Sequence, residues 1–176
     1  MGEIKLTKNS IENAILTDGK LVGGYINGNG YISATGNGTI VFGDASNGGY
    51  IDASGAGLFV HGQASLSSTI SAKGNGAHAE GYASNFGSID ASGNGAIVFG
   101  YANDNSNIKA KGDGAHAEGY ANDGTINSSG IGSFAHGYVN SGTISATGTG
   151  AHAEGYAYKG SIDASGNGAH AEGYAN

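Results

Sequence analysis

Apolar and polar positions repeat along this chain with a short, fixed period. From residue 25 onward each repeat centres on one isoleucine: Ile32, Ile51, Ile70, Ile89, Ile108, Ile126, Ile144 and Ile162. Counting from each, glycine falls at +4, +6 and +11, and alanine at +2 except where Ser128 stands. The interval is 19 as far as Gly119 and 18 after it, and the lost residue lies just before the isoleucine, where YANDNSNI (101–108) becomes YANDGTI (120–126). A length change confined to one place marks a surface loop, and the invariant remainder marks the packed frame. Each repeat carries two alternating segments bounded by glycine: one of the type SIDASG (88–93), the other AHAEG (115–119) or AIVFG (96–100). Period-two alternation of that length predicts strands. Two strands in so short a repeat are too few for a propeller blade, and the repeat is too short for a helical array, but both fit one coil of a parallel β-solenoid. The expected fold is therefore all-β, with about eight coils over 25–176 and a leader or cap over 1–24. At about 4.8 Å per rung the rod would be roughly 38 Å long.

Alternation also sorts the side chains. The isoleucine, the alanines and the small residues of the AHAEG strand (Ala77, Ala79, Gly81) are expected to line a narrow interior. The large residues of that strand, at +8 and +10, point the other way. In order they are Ile40 and Phe42, Phe59 and His61, His78 and Glu80, Ile97 and Phe99, His116 and Glu118, Phe134 and His136, His152 and Glu154, and His170 and Glu172. A face that includes Ile97 and Phe99 is ill suited to open water, and contiguous apolar surface on a rod marks an interface. So thin an interior makes an isolated chain marginal, and these side chains are the candidate interface of a homo-oligomer.

The AHAEGYA and SIDASGNG units resemble the SHAEG-type repeats of phage tail-fibre proteins. Both are similar to the head repeats of trimeric autotransporter adhesins; Ala96-Ile97-Val98-Phe99-Gly100 and Ala115-His116-Ala117-Glu118-Gly119 carry the match, over about residues 25–176. The period here is longer than in those families, where it is nearer 14. The resemblance implies a β-roll, a homotrimeric fibre, and a place on a virion tail or cell surface.

Composition narrows the alternatives. Glycine supplies 36 of 176 residues, yet proline is absent and no Gly-X-Y period exists, so the chain is not collagen. A formal charge of −7 with seven scattered basic residues argues against a nucleic-acid partner. No apolar run is long enough to span a membrane as a helix, and the N-terminal MGEIKLTKNS lacks a signal-peptide core. The absence of cysteine rules out disulfides and thiolate chemistry.

Four His-x-Glu pairs place both side chains on one strand face. They could ligate a cation, but the reading adopted from sequence is structural pairing, with no metal and no cofactor assigned. Such pairing predicts raised histidine pKa values, and an interface stable at neutral and mildly acidic pH that weakens as pH rises. Tyr82, Tyr101, Tyr120, Tyr138, Tyr156 and Tyr174 fall at one position in successive coils and predict a packing ladder. The Gly-x-Gly at +4 to +6 recurs in every coil without the lysine of a phosphate loop, so it reads as a coil corner. No Gly-Gly-x-Gly-x-Asp nonapeptide is present, which argues against a calcium roll. Threonine and serine on the outer isoleucine face are interrupted by Asp90, Lys109, Lys111 and Asp163, which weakens an ice-binding reading. No nucleophile, base and acid stand together, so an enzyme is not expected. What remains is a structural fibre or adhesin segment presenting loops such as Asn103-Asp104-Asn105-Ser106 to a surface receptor or glycan. The alternatives are a self-assembling extracellular filament and an ice- or glycan-binding solenoid.

Overall fold

The computed structural model describes the backbone at 4–6, 11–17 and 19–176, and side chains from residue 19 onward. The described residues form no helix, and their strands make two sheets. One sheet carries the isoleucines: Tyr31–Ala34, Tyr50–Ala53, Thr69–Ala72, Ser88–Ala91, Asn107–Ala110, Thr125–Ser128, Thr143–Ala146 and Ser161–Ala164 pair in parallel in that order. The facing sheet runs from Lys20–Asn27 through Ile40–Ser46, Phe59–Ser65, His78–Ala83, Ile97–Asn103, His116–Asn122, Phe134–Asn140 and His152–Tyr158 to His170–Ala175, again in parallel. The chain is thus a β-solenoid of about eight coils, two strands to a coil, as its periodicity predicts. At the N-terminal end, Ile4–Leu6 and Ile11–Thr17 add one antiparallel strand to each sheet. The first parallel strand begins at Lys20, so the ladder crosses the 24/25 boundary drawn from sequence.

The interior is as narrow as the alternation implies. In the coil from Ile89, the buried apolar side chains are Ile89, Ala91, Ala96, Val98 and Ala102, all fully inaccessible. Room for the isoleucines comes from the glycine at +11. A Cβ on Gly81 would lie 2.9 Å from Cδ1 of Ile89 and 2.0 Å from the carbonyl oxygen of Gly100. Large therefore meets small across the core, and the side chain the glycine lacks is the room the isoleucine needs.

The corners obey local backbone chemistry. The glycine at +6 turns the chain with left-handed φ, 65° at Gly114, and its amide donates to the carbonyl of Asn94 one coil back at 2.8 Å. At the opposite edge, the longer coils from Asn47 onward turn on two successive left-handed residues, as at Asn85 and Phe86 or Asp104 and Asn105. The shorter coils turn on one, at Asp123, Ser141 and Lys159. The period change is thus one turn residue lost with both sheets kept in register.

One irregularity in the core repairs itself. Ser128 replaces the alanine at +2, and in the same coil Ser133 replaces the alanine at +7. Both are buried. Their hydroxyls meet at 2.7 Å, and Ser133 donates to the carbonyl of Gly130 at 2.8 Å. A hydroxyl in an apolar interior is tolerated when it is hydrogen-bonded.

Candidate functional site

The large aromatic, histidine and glutamate side chains lie on the outer face of the facing sheet. Strand register gathers the side chains at position +8 (Ile40, Phe59, His78, Ile97, His116, Phe134, His152 and His170) into one column. Those at position +10 (Phe42, His61, Glu80, Phe99, Glu118, His136, Glu154 and Glu172) form a second column beside it. All the interface candidates therefore share one face. Those from His78 to Glu154 are half-buried by their neighbours, whereas Ile40, Phe59 and His61 near one end and His170 and Glu172 at the other are exposed. Among the described residues, no segment of the chain folds over them.

Ring contacts run through these columns. Phe59 and His78 meet edge to face with centroids 4.8 Å apart, and His78 meets Phe99 at 4.9 Å. The series continues through His116 and Phe134 at 4.7 Å to the parallel pair His152 and His170 at 4.8 Å. A third column, at +12, is the expected tyrosine ladder. Tyr82, Tyr101, Tyr120, Tyr138, Tyr156 and Tyr174 stack at 4.8 to 5.1 Å with ring planes within 13° of parallel. That spacing is the rung spacing of a sheet, so the backbone, rather than ring attraction alone, sets the stack. Burial raises the Tyr101 phenol pKa, helped by the flanking Tyr82 and Tyr120.

The His-x-Glu pairs form within single strands, His78 with Glu80 at 3.3 Å and His116 with Glu118 at 3.1 Å. The electrostatics differ from the sequence expectation at His116. Burial of the imidazole among Phe99 and Phe134 disfavours its charged form and lowers its pKa below 6.5, outweighing the opposite pull of Glu118. Its Nε2 is inaccessible and makes no directed hydrogen bond despite the short distance. Desolvation, not pairing, sets the sign there.

Near the C-terminal end the pattern changes. His136 lies directly across from Glu154, and His152 from His170. Glu154 thereby meets three imidazoles, at 2.8 Å from His136, 3.5 Å from His152 and 3.7 Å from His170. Alternation places these residues on one face but does not reveal their convergence, because it pairs each histidine with the glutamate of its own strand. The signal that could have found it is the succession of four histidine-bearing coils, from His116 to His170, without an intervening Ile-Phe coil.

The outer face of the isoleucine sheet is different in kind. Beyond the edge-to-face pair Tyr31 and Tyr50 near its N-terminal end it is polar, with Ser71 donating to Asp90 at 2.8 Å and Lys73 paired to the same carboxylate at 3.7 Å. Compared with protein-family models, with curated proteins and with solved structures, the chain finds no match in any of the three.

Proposed function

We propose that this chain is a structural segment of an extracellular fibre or adhesin, in which copies associate through the histidine- and phenylalanine-bearing face of the facing sheet. The observation that carries the reading is the asymmetry of the two outer faces. Beyond the Tyr31 and Tyr50 pair near one end, one is polar, with Lys73 paired to Asp90; the other sets Ile40, Phe42, Phe59, Ile97, Phe99 and Phe134 among histidine and glutamate in two adjoining columns over which no described segment folds. Large apolar side chains gathered on one face in this way are characteristic of association surfaces. The resemblance of the AHAEG units to tail-fibre and adhesin-head repeats points the same way, and to three chains about one axis. The turn edge then faces outward. It displays Leu66 and Phe86 at 46 % and 64 % exposure, together with the Asp104 and Asn105 turn, as a surface for a receptor.

Substitution tests the assignment of the face. Phe99→Asp and Ile97→Asp are expected to reduce the molar mass in solution to that of one chain, whereas Ser145→Asp on the opposite outer face leaves the assembly intact. Unchanged mass in the Phe99 and Ile97 variants, with β circular dichroism retained, would remove this face from the assembly.

A further inference from the structure

Among the described residues, groups of three or more metal-ligating side chains close enough to share an ion occur in one place, around Glu154. His136, His152 and Glu154 each offer a donor atom within 4.8 Å of the others. Glu154 Oε2 faces His136 Nε2 and His152 Nε2, while its other oxygen faces His170 Nε2. The pairs nearer the middle of the rod lack this convergence: His78 and Glu80 lie between the rungs of Phe59 and Phe99, and His116 and Glu118 between those of Phe99 and Phe134.

Glu154 Oε2 is close to His136 Nε2, at 2.8 Å, and stands farther from His152 Nε2, at 3.5 Å, beyond a good hydrogen bond. The His152 Nε2 points into the cluster, is inaccessible, and has no hydrogen-bond partner. A polar nitrogen left so is costly. A cation between the three groups would accept its lone pair. Tetrahedral zinc, with bonds of about 2.0 to 2.1 Å, holds neighbouring donor atoms roughly 3.3 Å apart. The separations from Glu154 Oε2, 2.8 and 3.5 Å, bracket that edge. Imidazole and carboxylate without thiolate are a ligand set suited to divalent zinc, nickel or copper rather than to calcium.

We propose that His136, His152 and Glu154 form a binding site for a divalent transition-metal ion of the zinc type; His170 groups with Glu154 and Glu172 instead and is not among its ligands. Structural pairing is then not the whole role of these His-x-Glu units. All the ligands belong to one chain, so the site stands whether or not copies associate through the surrounding face.

Equilibrium dialysis of the full chain against Zn²⁺ at neutral pH, with molar mass measured on the same samples, tests it. The expected result is one saturable ion per chain, and Co²⁺ in its place giving the visible absorption of a tetrahedral nitrogen and oxygen site. Glu154→Gln and His152→Ala should each weaken binding at least roughly tenfold, by analogy with the loss on disturbing supporting groups. His116→Ala, the same chemistry one rung before His136 but outside the ligand group, should leave it unchanged. Absence of saturable uptake, uptake indifferent to Glu154→Gln, or half an ion per chain tied to a doubled mass would each overturn the assignment.

Discussion

Two glycines of one coil show how much of this fold rests on single residues, and for different reasons. Gly114 has left-handed φ but open space where a Cβ would project. Gly119 has φ 138° and would drive a Cβ to 2.0 Å from the Gly137 carbonyl oxygen, with more of that backbone at 3.0 Å. Gly114→Ala should therefore cost about 1 kcal/mol, the backbone penalty alone. Gly119→Ala should cost upwards of about 3 kcal/mol, because a ladder strand cannot step aside. Denaturant midpoints of the two variants check the contrast. Ser128 and Ser133 provide a second residue-scale prediction. Ser133→Ala strands a buried Ser128 hydroxyl and should cost about 1 to 3 kcal/mol. Ser128→Ala costs less, because Ser133 keeps its bond to Gly130. The double variant should be more stable than Ser133→Ala alone, and a double-mutant cycle measures the coupling.

Strands convert these residue rules into columns, and the columns carry the chemistry. At His116 the folded imidazole gives up its proton at lower pH than the unfolded one. The unfolded chain therefore binds more protons between the depressed value and 6.5. The contribution of this group is present in full above 6.5, and is lost as pH falls through the folded pKa. Thermal midpoints should thus fall on mild acidification, and His116→Ala should flatten that dependence; a midpoint that rises on acidification in the unmodified chain but not in the variant would show a raised pKa instead. The columns themselves were legible in the sequence, because a fixed period with fixed register leaves Ile97 over His78 and Tyr101 over Tyr82 no other place to go. Two things were not. The sign of the His116 shift depends on how closely Phe99 and Phe134 crowd the ring, which composition does not encode. The convergence on Glu154 depends on side-chain directions across three strands, whereas sequence pairing naturally stops at the i, i+2 neighbour.

On the scale of the whole molecule, one largely polar face and one face mixing aromatic, histidine and glutamate side chains on a thin two-sheet rod define the problem that assembly would solve. A closed ring of chains about a common axis buries the aromatic face on every copy, whereas stacking end to end buries only the terminal rungs and leaves that face in water. The fibre reading therefore requires a fixed, lateral oligomer. Multi-angle light scattering across a broad range of chain concentrations measures this most directly. The expected result is a constant mass three times the 17.2 kDa of one chain. A mass of one chain at every concentration, with the β signal intact, would contradict the claim that other copies cover this face.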